Sequence, residues 1–264
     1  MALLVSDVFS ARTSYALPDT SIGELRRIIR EYYVRVIPVV ADEKTLKLIG
    51  VVRRGNLLYI SSTRTEFTAR DIMDEPKIVA RPSDDARELA DRLIETDEWY
   101  APVVDDAGKL LGLVGLENII GYVVNHEPEK LMKPVEEFME RNVVYVEPTT
   151  PVYKVWQVMM SKRFAALPVV SEGKLIGVIA EHDLIVRGFA RPDFESPSGI
   201  RRGPLVRELM STPPVTVLPT VPLLSAARLI VERYIGRVYV VDDDESLLGV
   251  VDRSDIVRAW LTAR

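Results

Sequence analysis

The feature that most constrains this chain is an internal repeat kept in register four times. Pro18, Pro82, Pro148 and Pro219 are each followed, 20 residues on, by an apolar strand start: Pro38-Val-Val, Pro102-Val-Val, Pro168-Val-Val and Tyr239-Val-Val. Nine residues before each comes Phe9, Met73, Met139 or Met210, closing Val-Ser-Asp-Val-Phe, Ala-Arg-Asp-Ile-Met, Val-Glu-Glu-Phe-Met and Val-Arg-Glu-Leu-Met. The offsets between copies are 64, 66 and 71 residues, so the length differences belong to loops. Self-similarity at such a period marks a repeated supersecondary unit.

Each unit carries the same pattern. After the framing proline comes a helix whose apolar residues share one face. These are Ile22, Leu25, Ile28, Ile29 and Tyr32 in the first copy, and Ala86, Leu89, Ala90, Leu93 and Ile94 in the second. The third has Val152, Val155, Trp156, Met159 and Met160, and the fourth Leu223, Ala226, Ala227, Ile230 and Val231. Two short apolar runs follow, joined by turn residues such as Ser171-Glu-Gly and Asp105-Asp-Ala-Gly. A closing helix is expected from Leu57, Ile119, Leu184 and Ile256. The unit reads β-α-β-β-α, an α/β (α+β) fold over 1–62, 63–125, 134–190 and 203–264. One unit buries too little apolar surface to stand alone, so copies pair, as 1–125 and 134–264. Residues 125–130 read as the linker between pairs, and 191–204, rich in Pro, Gly and charge, as a long loop.

Composition narrows the function. The 264 residues are 47% hydrophobic, enough for real cores, and contain no cysteine, which removes disulfides, thiolate metal sites and cysteine nucleophiles. No apolar run approaches the roughly 20 residues that cross a bilayer. Met1-Ala-Leu-Leu-Val-Ser lacks the charged start and apolar stretch of a signal peptide, so a cytoplasmic protein is expected. The net charge of -5 argues against nucleic acid as the partner. His126 and His182 are the only histidines, and no phosphate loop or nucleophile elbow accompanies them, so catalysis is not expected. Asp242-Asp-Asp-Glu falls on the fourth hairpin turn, where acidic residues are ordinary, and no metal is expected.

The chemistry sits at the second strand of each hairpin. There each copy holds Gly-φ-φ-x-x-x-[Asp/Asn]-φ, with φ apolar, starting at Gly50, Gly112, Gly177 and Gly249 and ending in Asn56, Asn118, Asp183 and Asp255. A polar side chain where a strand gives way to a helix can cap that helix through backbone N–H groups. It can equally accept from the vicinal hydroxyls of a ribose, beside a helix N-terminus that favours phosphate.

These three motifs together resemble the CBS-domain family over nearly the whole chain. The resemblance implies two Bateman modules, similar to the gamma subunit of the AMP-activated protein kinase or to stand-alone archaeal four-repeat proteins. It implies clefts for adenosine ligands: AMP, ADP or ATP, or S-adenosylmethionine. The ribose carboxylate is kept in Asp183 and Asp255 and replaced in Asn56 and Asn118, though Asn can still donate and accept. The family's Ser/Thr three residues earlier is Arg53, Gly115, Ala180 and Asp252 here, so no copy keeps it. Val144, Val215 and Thr216 stand at strand entrances where such ligands are met. Arg237 occupies a common phosphate position, Arg35 is a weaker analogue, and His182 is a further candidate. The resulting expectation is a non-catalytic regulatory sensor whose better site lies in the second pair. An effector protein would read it and a homodimer is an option; a ligand-free interaction scaffold is the alternative.

Overall fold

The computed structural model describes residues 2–60, 66–187 and 203–263. In the first repeat, α1 (Ile22–Tyr32) leads into a hairpin of β1 (Val36–Val40) and β2 (Leu48–Arg53), then α2 (Arg54–Leu58). A four-residue α3 (Ala69–Ile72) opens the second repeat, followed by α4 (Ala86–Glu95), β3 (Tyr100–Val104), β4 (Leu110–Gly115) and α5 (Leu116–His126). The third holds α6 (Val152–Lys162), β5 (Ala166–Ser171), β6 (Lys174–Ala180) and α7 (Glu181–Val186). The fourth has α8 (Val206–Leu209), β7 (Thr216–Val217), α9 (Leu223–Glu232), β8 (Arg237–Val241), β9 (Leu247–Asp252) and α10 (Arg253–Thr262).

The four hairpins share one register. Val39, Val103, Val169 and Val240 face Gly50, Gly112, Gly177 and Gly249, and the next pair skips a residue, leaving a bulge at Ile49, Leu111, Ile176 and Leu248. A bulge sharpens the twist and re-aims the strand end. The Ser171-Glu-Gly turn uses φ of 51° at Glu172 and 81° at Gly173, the backbone a two-residue hairpin needs. The leading strand is shorter than the repeat pattern suggests. It is a single parallel bridge at Ala16, Ala80 and Val146 and a two-residue strand only in the fourth copy.

Each repeat's lead-in segment leaves its own repeat. Val5 and Ser6 donate to Asp84 and Pro82 of the second repeat, and Ser10 bridges Leu113 there. Conversely Ala69 and Arg70 donate to Thr20 and Pro18, and Asp74 bridges Val51 of the first repeat. The second module repeats this exchange: Glu140 bridges Val250, and Ser211 bridges Val178. The motif glycines exist for this approach. A Cβ on Gly50 or Gly249 would lie 2.7 Å from the sulfur of Met73 or Met139, and one on Gly177 would lie 2.9 Å from that of Met210. On Gly112 it would run into the carbonyl of Ser10. So the Met and the Gly, distant in the pattern, are the two halves of one contact between paired repeats.

The modules are not independent bodies. The first large core joins the second and fourth repeats, with Leu93, Ile119 and Val114 packed among Leu223, Ile230 and Trp260. The second core joins the first and third, with Ile29, Leu57 and Leu58 among Val155, Met159 and Leu184. Helix α5 packs on α9 and α10, and α7 packs on α1 and α2. The apolar helix faces turn to the cores, with Ile94, Trp156, Met160 and Val231 partly buried at their margins and Tyr32 59% exposed at the C-terminal end of α1. The polar stretch after Asn125 is no loose tether. Helix α5 runs to His126, a 3-10 turn follows over Pro128–Leu131, and Glu127 accepts from the Trp260 indole at 2.9 Å. The loop expected over 191–204 falls almost wholly outside the described residues.

Substitution of two glycines separates close approach from helix propensity. Gly112→Ala must displace the Ser10 backbone and is expected to cost about 1–3 kcal/mol in urea unfolding. Gly55→Ala lies in α2 with nothing within 4 Å of the new methyl, and is expected to stabilise by about 0.5–1 kcal/mol.

Candidate functional site

The closing helices begin three residues before Leu57, Ile119, Leu184 and Ile256, directly at the strand end. The starts were expected at the first apolar residue, but the backbone turns helical as soon as the strand pairing stops. The motif residue is therefore the third of the helix rather than its cap. From there it reaches back: the N–H of Arg53, Gly115, Ala180 and Asp252 donates to Asn56, Asn118, Asp183 and Asp255 at 2.7, 2.8, 2.8 and 2.9 Å. One oxygen of each motif residue is thus a helix-capping acceptor.

In the first and third repeats the other face of the motif residue looks across the paired repeat to the residue after the Met. Asn56 donates through Nδ2 to Asp74 at 2.9 Å. Asp183 accepts from the Ser211 hydroxyl at 3.4 Å through its second oxygen. Burial raises the Asp183 carboxyl above its usual range, opposed by the Ala180 N–H. Asp255 is pushed up to about 7, by burial first and then by the Asp252 carboxylate, with Glu140 adding in the same direction. The fourth cleft is acidic, whereas the third carries Asp183 with Ala180 and Ser211.

The remaining candidates fall in two groups. Ala180 contributes only its backbone N–H, and Asp252 is turned to its own helix, accepting from Ser254 N–H at 2.8 Å and from the Ser254 hydroxyl at 2.5 Å. Thr216 pairs with Tyr239 in β7, Val215 is packed partly into the first core, and Val144 is exposed. Thr216, Val215 and Val144 make no described hydrogen bond with Asp183 or Asp255. Arg237, Arg35 and His182 are brought together elsewhere, at a junction where all four repeats meet.

That junction was not foreseen. Arg35 and Arg54 enter from the first repeat, Tyr100 and Glu117 from the second, Glu181 and His182 from the third, and Arg237 and Arg253 from the fourth. Arg253, 3% exposed, lies 3.4 Å from Glu117 and stacks over Trp99, and its Nη1 has no hydrogen-bond partner. Glu117 also accepts from the Tyr100 hydroxyl. Arg237 donates to the Ala166 carbonyl at 3.1 Å and Arg35 to that of Tyr234 at 3.2 Å. His182 stacks on Tyr33 at 4.6 Å and its buried Nδ1 is unpartnered. Four guanidinium groups thus face the carboxylates of Glu117 and Glu181. Burial and neighbouring arginines lower Arg35, bring Arg54 down to about 10 and hold His182 neutral at about 4. Burial raises Tyr100 and Glu181. The junction has an unneutralised excess of positive charge. The sequence signal for it was the polar run directly before the motif residue: Arg54, Glu117, Glu181-His182 and Arg253.

Four β-hairpin repeats, paired through exchanged lead-ins and stacked on helix faces around a basic junction, define a tandem pair of two-repeat modules. The chain belongs to the CBS domain family, which it matches over 5–62, 69–125, 135–188 and 206–262. Among its relatives is protein MJ1225 of Methanocaldococcus jannaschii, 24% identical over 263 residues, covering 91% of this chain and 92% of that one. Protein MJ1404 of the same organism is 26% identical over 96% of this chain, which spans 61% of it. The crystal structure of MJ1225, described as a candidate archaeal homologue of g-AMPK, superposes with a TM-score of 0.83 at 20% identity, over 97% of this chain and 99% of that one. A Pyrococcus horikoshii protein superposes with a TM-score of 0.66, also at 20% identity, over 98% and 100%. No helix among the described residues is long and apolar enough to cross a membrane.

The acidic fourth cleft makes a pH prediction. A carboxyl whose folded pKa lies above its unfolded value near 3.8 favours the folded state when protonated. Stability from Asp255 is therefore present below about pH 4 and declines as pH rises through about 7. Asp255→Asn keeps an acceptor for the Asp252 N–H, as Asn56 and Asn118 do in their repeats. The variant is expected to gain about 1–2 kcal/mol over the parent at pH 8, allowing for solvent screening of a half-buried group, and to match it at pH 4. Urea unfolding at the two pH values checks this.

Proposed function

We propose that this chain is a non-catalytic regulatory sensor that holds an adenine nucleotide (AMP, ADP or ATP) in the clefts of its second module. Asp183 and Asp255 receive the ribose hydroxyls, and the phosphates reach the arginine junction. The observation that carries this reading is the charge excess there: Arg35, Arg54, Arg237 and Arg253 stand against Glu117 and Glu181, with Arg253 buried and partly unpartnered. Guanidinium groups in a poorly hydrated setting are strong partners for phosphate oxygens. Neutral His182 offers a ring N–H or an acceptor there rather than a charge. The third cleft is the more suitable of the two, because Ser211 makes only a long contact to the second Asp183 oxygen, which a ribose hydroxyl can replace.

The signal follows from the cores. Each core contains one repeat from each module, so a ligand that changes the angle within the second module must also shift the first. Such a ligand moves the equilibrium only by its preference for one arrangement. An effector protein then reads the change. The acidic fourth cleft favours a second reading for that site alone. Asp255, Asp252 and Glu140 would repel phosphate and welcome a cationic adenosine ligand such as the sulfonium of S-adenosylmethionine.

A thermal-shift panel of adenosine, AMP, ADP, ATP and S-adenosylmethionine tests both. At a hundredfold excess over Kd a bound ligand adds about 2.7 kcal/mol, or roughly 5–10 °C for a chain of this size. AMP, ADP or ATP is expected to outperform adenosine. Asp183→Ala is expected to remove the shift, and Arg253→Gln to weaken nucleotide binding by roughly tenfold or more while leaving adenosine unchanged. A flat panel would leave the scaffold reading in its place.

A further inference from the structure

Two departures from the repeat pattern meet each other in the first module. At the helix-cap position the four copies carry Arg53, Gly115, Ala180 and Asp252, so only the first is a cation. Four residues before the Pro-Val-Val or Tyr-Val-Val motif they carry Val34, Glu98, Phe164 and Ile235, so only the second is charged. Arg53 and Glu98 sit on different repeats, 45 residues apart, and form a bidentate pair. Arg53 Nε donates to Glu98 Oε2 at 3.1 Å and Nη2 to Oε1 at 2.9 Å. The third guanidinium nitrogen donates to Asp74 at 2.9 Å, and Asp74 also receives Asn56. Lys77 closes the group on Glu98 at 3.0 Å.

We infer that Arg53 is a built-in occupant of the first repeat's cleft, at the position where the other copies carry Gly115, Ala180 and Asp252, and that with Glu98 it locks the first module in one arrangement. This rests on the reading of the motif clefts as ligand sites. The chemistry is self-contained. Two cations, Arg53 and Lys77, meet two carboxylates, Asp74 and Glu98, so the charge is balanced, unlike the junction. Glu98 is only 7% exposed, and its carboxylate is held by both cations. The motif residue Asn56 is already engaged on both its amide atoms, accepting from Arg53 N–H and donating to Asp74. The space enclosed with Val36, Pro76, Ile78, Tyr100 and Pro102 has no room for a water molecule. A bidentate guanidinium–carboxylate pair is directional, so it also fixes the two repeats relative to each other. Through the shared cores, the lock then resists any change of angle within the second module as well.

The test uses the full chain and AMP as the probe, in calorimetric titration. The double substitution R53S/E98A removes both charges together and supplies a small hydroxyl at the cap. It is expected to bind one more AMP per chain than the parent. Melting of R53S, E98A and the double variant forms an independent cycle that needs no ligand. Each single change leaves the four-charge group unbalanced, with only Lys77 on Glu98 or only Asp74 on Arg53, so the double variant is expected to lose less than the sum of the two. Should the double variant fail to fold, R53K takes its place. It keeps the charge but not the bidentate grip, and amide exchange in β1 and β2 is expected to quicken about tenfold. An unchanged AMP stoichiometry in a folded double variant overturns the occupant, and additive melting losses or unchanged R53K exchange overturn the lock. If the parent binds no AMP at all, the sensor reading fails while the cycle still decides whether the lock exists.

Discussion

The lead-in segments ending in Phe9, Met73, Met139 and Met210 lie against the motif glycines of their paired repeats, and the rest of the structure follows from that contact. Because the backbone comes so close, the residue just after the Phe or Met is delivered to the strand-to-helix junction of the neighbouring repeat. Ser10, Asp74, Glu140 and Ser211 are the four residues so delivered. They decide the character of the clefts: Asp74 ties down Asn56 and Arg53, Ser211 leaves Asp183 nearly free, and Glu140 adds to the charge around Asp255. One backbone contact thus sets both the pairing of repeats and the chemistry of the space between them.

A second constraint acts between modules. Neither pair closes its own core. The helix faces of the first and second repeats are completed by those of the third and fourth, respectively. Burying these faces against each other, rather than within one module, makes the chain one cooperative unit and brings the N-terminal ends of α2, α5, α7 and α10 toward a common centre. Burial first, and then repulsion among the arginines gathered there, lowers Arg35 and Arg54. A protein of net charge -5 therefore gathers four arginines where its repeats meet. Composition averaged over the chain could not reveal this, because the arginines come in pairs from the first and fourth repeats.

The four clefts have diverged within one frame. In the first, Arg53 lies between Glu98 and Asp74, in the third Asp183 meets only Ser211 at 3.4 Å across the pair, and the fourth is acidic. Divergence of this kind is cheap for a repeat protein, since each cleft is built from a few cap and strand-entrance residues while the helix faces carry the stability.

Much of this was legible in the amino-acid order. The spacing of Pro, Pro-Val-Val and Gly-φ-φ-x-x-x-Asp sets the number of repeats, the hairpins and the buried helix faces, because those depend on local periodicity and turn chemistry. It also placed Asn56, Asn118, Asp183 and Asp255 at strand-to-helix junctions, and the capping hydrogen bonds found there are local, three residues long. The exchange of lead-ins, the partnering of Arg53 with Glu98 and the four-repeat junction were decided only by the tertiary structure. They join residues tens to hundreds of positions apart, and no periodicity within one repeat carries information about which other repeat its side chains will meet.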